Sequence, residues 1–221
     1  MKRLLILPVF LISLVYCFGQ TPAELFQSGP AADSATISLA QLRHKIPGKA
    51  LAAFSRALEL ARHREWQQGA SELEAAVNLD PEFADAHGNL GVHYVMLEHL
   101  NQAITEFRRA IALDSATSLH HSNLALAYLL LHKSGEAKTE AQTAVLLDSR
   151  NAPGQYLLGF LLAQNPVERG EAQKHLTYAA EEIPYAHLAL MSLYRSTGEE
   201  VKATEELERY RKAISTFKKG R

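Results

Sequence analysis

The chain has a single cysteine among its 221 residues, Cys17. No intrachain disulfide can form, and no cysteine-based zinc site is possible. Neither sign of charge dominates: 23 Lys and Arg face 24 Asp and Glu, a net charge of −1. Phosphate binding needs a basic surplus, so nucleic acid is excluded as the main partner. No His-Glu-x-x-His, no Gly-x-Ser-x-Gly, no phosphate-binding glycine loop and no dinucleotide fingerprint occurs. The chain therefore reads as a non-enzyme with no cofactor, no bound metal and no small-molecule substrate. Disorder over most of the length is also excluded. With 47% hydrophobic and 21% charged residues the composition is that of a folded protein.

One long apolar run exists, from Leu4 to Phe18, behind the basic pair Lys2-Arg3. At 15 residues it is short of the ~20 that cross a bilayer as a helix. A basic start, an apolar stretch and small residues near Gly19 read as a secretory signal over 1–19, with cleavage before Gln20. Removing Lys2 and Arg3 from the 23 bases leaves 21 against 24 acids, a net −3. The expected location is the periplasm or cell envelope. Leu14-Val15-Tyr16-Cys17 starts like a lipobox and departs from it at Tyr16. Membrane attachment is expected only if Cys17 is lipidated or the signal stays uncleaved.

Residues 20–36 are mostly Pro, Gly, Ala, Ser, Thr, Gln and Asp, with Gly29-Pro30 breaking any helix. They read as a flexible linker. Leu39, Leu42 and Ile46 recur at three and four residues, which predicts a short helix over 37–46, closed by Pro47-Gly48 within a 37–49 unit. A basic tail occupies 218–221.

The body, 50–217, repeats. Leu79-Asp80, Leu113-Asp114 and Leu147-Asp148 recur every 34 residues. So do Ala76, Ala110 and Ala144, Leu90, Leu124 and Leu158, and Gly91, Ala125 and Gly159. Within one period, Leu90 and Tyr94 stripe a first helix, and Ala103, Phe107 and Ala110 a second. One such pair cannot bury its stripe alone, so neighbours must stack. The expected fold is an all-α solenoid of antiparallel helix pairs.

These columns resemble the tetratricopeptide repeat (TPR), in about five copies. Ala84–Thr117 matches with Leu90, Gly91, Tyr94, Ala103, Phe107 and Ala110, with His87 in the usual Trp place. Ser118–Asn151 matches with Leu124, Ala125, Tyr128, Ala137 and Ala144. Ala50–Phe83 diverges in its first helix but keeps Trp66, Leu73, Ala76 and Pro81. Ala152–Ile183 carries one extra residue in the turn 165–170, and the last repeat places Tyr210 where a small residue is usual.

The resemblance implies a right-handed superhelix whose first helices line a concave groove. Its groove positions fall on Asn89, Val92, Val95 and Met96, on Asn123, Leu126, Leu129 and Leu130, and on Tyr156 and Phe160. An apolar groove with Leu126, Leu129, Val92 and Phe160 exposed would suit a protein or peptide with apolar anchors, and Asn89 and Asn123 would hold its backbone. The clamp that some relatives use for an acidic peptide terminus is not matched, because Gly88 and Ser122 stand where a Lys is needed. A scaffold or adaptor for an envelope partner follows. Its rivals are a lipid-anchored envelope or pilus assembly factor, a chaperone for secreted chains, and a metal-dependent hydrolase using the ten histidines.

The histidines argue against that last rival. His87 and His93 are six residues apart, about 120° around a helix, and the neighbours His120 and His121 point apart. His87, His121 and His187 share the repeat's aromatic column and are expected to pack between helices. Glu181-Glu182 and Glu205-Glu206 are expected on solvated faces. An alternative use of the groove is internal, with the linker 20–36 and the helix 37–46 folded back into it.

Overall fold

The computed structural model describes residues 44–219, with side chains to residue 215. The expected signal, the expected linker, Cys17, most of the expected 37–46 helix and the basic tail's side chains lie outside these residues. His44 to Pro47, at the end of that expected helix, are irregular.

Among the described residues there are ten α-helices and no strand. They run as α1 Gly48–Arg62, α2 Trp66–Leu79, α3 Ala84–Met96, α4 Leu100–Leu113 and α5 Ser118–Leu130, then α6 Ser134–Leu147, α7 Ala152–Leu162, α8 Arg169–Ala179, α9 Tyr185–Ser196 and α10 Glu200–Lys219. Each odd helix (A) packs against the even helix (B) that follows, and each B helix against the next A. A helices of successive repeats also touch, α3 with α5 and α5 with α7. No pair of B helices comes as close among the described residues, so the stack bends with its A helices inside.

The repeat columns have physical reasons. Asp80, Asp114 and Asp148 end the B helices, and each carboxylate accepts from the backbone N–H two residues on, at 3.2, 3.2 and 2.9 Å. This Asx turn starts the next A helix. The leucine beside each aspartate matters less, since Leu79 and Leu147 are 48% and 43% exposed.

The turns from A to B repeat as well. Arg64, Glu98 and His132, spaced 34 apart, have φ of 60°, 61° and 59°. At each, the following N–H reaches back to a carbonyl five residues earlier, such as Lys133 to Tyr128 at 2.9 Å. This is the Schellman closure, which needs a left-handed residue. The fourth repeat has Pro166 at this place, and proline cannot take positive φ. That turn becomes the 3-10 segment Pro166–Glu168, capped by the Asn165 side chain, and holds the extra residue.

Small residues let the helices approach. A Cβ built on Gly91 would lie 2.6 Å from the Phe107 ring, and one on Gly159 would lie 2.8 Å from Leu176 Cγ and 3.0 Å from the Leu176 backbone N. In the third repeat the same two columns carry Ala125 and Ala141. Tyr210 is buried as well, its ring centroid 5.9 Å from that of Tyr185 in the same repeat.

Candidate functional site

The inner surface is built from the A helices α3, α5, α7 and α9. The ten expected groove residues do fall on α3, α5 and α7, but they are unequal. Val95, Asn123, Leu126, Tyr156 and Phe160 are buried, at 4, 4, 7, 4 and 8% exposure. The expected exposure of Leu126 and Phe160 is thus corrected. A helices in contact cover each other's flanks, and these side chains fill the seam. Asn89, Val92, Met96, Leu129 and Leu130 are half-buried. The Asn89 amide donates to the carbonyl of Asp85, one turn back on its own helix, at 2.8 Å. That bond uses one of the two N–H groups of the amide. Burial pushes the Tyr156 phenol up from its ordinary pKa.

One open part of this surface lies toward the C-terminal repeats. A pocket of about 280 Å³ opens where the C-terminal ends of α5, α7 and α9 converge. Leu129, Phe160, Ala163, Ala189 and Leu193 give it apolar walls. His132, Ser134, Gln164, Ser192, Ser196 and Arg169 form its rim and floor. Only Leu129 and Phe160 were among the expected residues. Ser192 was reachable from sequence: Val92, Leu126 and Phe160 form one column, and the step from Gln155 to His187 extends it to Ser192. Arg169 was not, because it enters from the start of a B helix after the irregular turn.

Four histidines tie helices together through side-chain hydrogen bonds. Nδ1 of His87 bonds the Glu106 carboxylate at 2.7 Å, His121 bonds Glu140 at 2.7 Å, and His187 bonds Glu206 at 2.6 Å. The fourth repeat reverses the partners, His175 bonding the Gln155 amide. Each contact ties an A helix to its own B helix. Glu206 is only 5% exposed and also binds Arg209 at 2.6 Å, so its expected place on a solvated face is corrected.

His93 and His120 lie deeper. His93 meets Trp66 edge to face at 5.4 Å and bonds the Asn89 carbonyl through Nδ1. His120 sits over Gly88, and neither of its ring nitrogens has a hydrogen-bond partner. Burial pulls its pKa down to about 4, with Asp114 opposing that shift and His121 adding to it. Among the described residues, no three His, Cys, Asp or Glu side chains are grouped to hold a metal ion. None of these helices is long and apolar enough to cross a membrane.

No family model matches the chain, and no curated protein matches it. Solved structures do. The chain is similar to the crystal structure of MamA at 16% identity, covering 74% of this chain and 96% of that one with a TM-score of 0.60. It is similar to TTC0263, a thermophilic TPR protein of Thermus thermophilus, at 21% identity, covering 75% and 90% with a TM-score of 0.63. It is also similar to YrrB, described as a TPR protein with an unusual peptide-binding site, at 21% identity, covering 73% and 84% with a TM-score of 0.57. At these identities the likeness establishes the fold, a TPR solenoid.

Proposed function

We propose that this solenoid is a non-catalytic scaffold or adaptor of the cell envelope, whose inner surface holds an apolar segment of a partner protein. The observation that carries this reading is the pocket between α5, α7 and α9. Elsewhere on the inner face, Val95, Asn123, Leu126 and Tyr156 are buried between helices. Here the walls are apolar and open, at a volume that takes one or two side chains. His87, His121, His175 and His187 are engaged in interhelix contacts, and His93 and His120 are buried, which supports a packing role for these six. YrrB, with its peptide-binding site, supports peptide as the ligand class. The envelope assignment rests on Lys2-Arg3, the apolar run 4–18 and the small residues before Gln20.

The test is cross-linking in intact envelopes, comparing the wild-type chain with Leu129→Asp. Leu129 is half-buried at the pocket wall, so a carboxylate there spoils the apolar surface without entering the core. One cross-linked partner should be lost in the variant while helicity by circular dichroism is kept. Unchanged recovery from a folded variant would refute the groove. An intact mass beginning at Gln20 checks the export reading, and a lipid mass on Cys17 would replace it with the anchored form.

A further inference from the structure

Arg169, half-buried at the start of α8, lines this pocket. Arg169 Nε is shielded from solvent and has no hydrogen-bond partner. Among the described residues no Asp or Glu lines the pocket. A shielded guanidinium nitrogen is costly until an acceptor reaches it, and a carboxylate satisfies the fork best. The walls beside it, Leu129, Phe160 and Leu193, ask for an apolar side chain next to that carboxylate.

The chain itself carries such a pair outside the described residues. Between Gln20 and Arg43 there are two acids, Glu24 and Asp33. Asp33 is flanked by Ala32 and Ser34, while Glu24 is followed by Leu25 and Phe26. The described chain begins at His44, tied through Nε2 to Asp80 at 2.7 Å. From Asp80 to the pocket is about three helix layers and one helix length, roughly 40 Å. The stretch from Phe26 to His44 spans up to roughly 60 Å when extended. The tether therefore reaches, and it holds the segment at an effective concentration on the order of millimolar.

We propose that the Arg169 pocket is a carboxylate-binding subsite occupied by Glu24-Leu25-Phe26 of the same chain, Glu24 on the guanidinium and Leu25 or Phe26 on the apolar walls. This rests on reading the inner face as a binding surface, and makes a partner segment compete with the chain's own. The test is NMR on the full purified chain, following the methyl groups of Leu129, Ala163, Ala189 and Leu193 and the Arg169 Nε–H. Three chains are compared: wild type, Glu24→Gln with Leu25→Ser and Phe26→Ser, and Arg169→Gln. In wild type the Nε–H should exchange with solvent roughly tenfold more slowly than in the Glu24 variant. The four methyl groups should shift between these two chains, while Leu73 and Leu90 in the first core do not. In Arg169→Gln the Phe26 ring signals should match those of the free peptide 20–36. All shifts should be unchanged on dilution. Identical pocket signals in wild type and the Glu24 variant would overturn the proposal and leave groove binding standing, since that is read by Leu129→Asp. Shifts that vanish on dilution would assign the occupant to a second copy and overturn it too.

Discussion

Gly159→Ala adds one methyl group where α7 meets α8. An ideal Cβ there lies 2.8 Å from Leu176 Cγ, 3.0 Å from the Leu176 backbone N and 3.1 Å from the Ala172 carbonyl oxygen. Leu176 is 0% exposed. Two of the three atoms are backbone, so relief requires α8 to slide away from α7. Overpacking of this kind costs about 1–3 kcal/mol. Alanine returns about 1 kcal/mol through helix propensity. The net expectation is a loss of about 0–2 kcal/mol. Gly135→Ala is the control, since nothing lies within 4 Å of its Cβ. It should be neutral or stabilising by up to about 1 kcal/mol. Leu176→Ala alone should cost about 2–5 kcal/mol. The double variant should cost less than the sum, because one of the three clashes is gone. Urea denaturation followed by far-ultraviolet circular dichroism reads all four chains. The α7–α8 amides in hydrogen exchange report whether the loss is confined to that pair, as expected of a stack of repeats. Gly159→Ala matching Gly135→Ala would refute the reasoning that backbone approach explains this column.

Acid should weaken the middle of the stack through His120. Its folded pKa, pulled down by burial to about 4, is below its unfolded value of 6.5. The unfolded chain therefore binds the proton first, and stability is complete above pH 6.5 and drains away down to pH 4, by up to about 3 kcal/mol. His93, shifted the same way, adds to this. His120→Met should flatten the slope of urea midpoint against pH in that window, and an unchanged slope would reject the assignment. Glu206→Gln keeps the shape but removes the charge shared by His187 and Arg209, and should cost about 1–2 kcal/mol, seen as faster exchange of α9 and α10 amides. His132→Gly relieves a φ of 59° and should stabilise by about 0.5–1 kcal/mol. A lower midpoint in urea would mean that the ring does more at the pocket rim than line it.

Much of the fold was legible because a solenoid is nearly one-dimensional. Contacts run between adjacent helices, so a 34-residue period in Ala76, Ala110 and Ala144 translates directly into three equivalent packing sites, all 0% exposed. The histidine column was legible for the same reason. His87, His121 and His187 sit where one helix must meet the next, although the carboxylate partners were not apparent. Glu206 looked like part of a charged surface run because a helix interval alone does not say which carboxylate a neighbouring imidazole will reach.

The site was less legible. Periodicity assigns a residue to a face but not to a degree of cover. Val92 and Leu126 occupy one column, yet Leu126 is 7% exposed and Val92 only half-buried. The difference comes from how closely each A helix approaches the next, and that depends on side chains from three repeats at once. Arg169 shows the limit most clearly. Its position follows from the turn at Pro166, where the repeat breaks.

The order of hydrophobic, small and turn residues along the chain was enough to determine helix pairs, their number and their stacking, because each of those depends on neighbours close in sequence. That the inner wall opens at this pocket, and that an arginine Nε lies there without an acceptor among the described residues, was decided only when α5, α7, α8 and α9 came together in space. Volume left between four helices belongs to none of them singly.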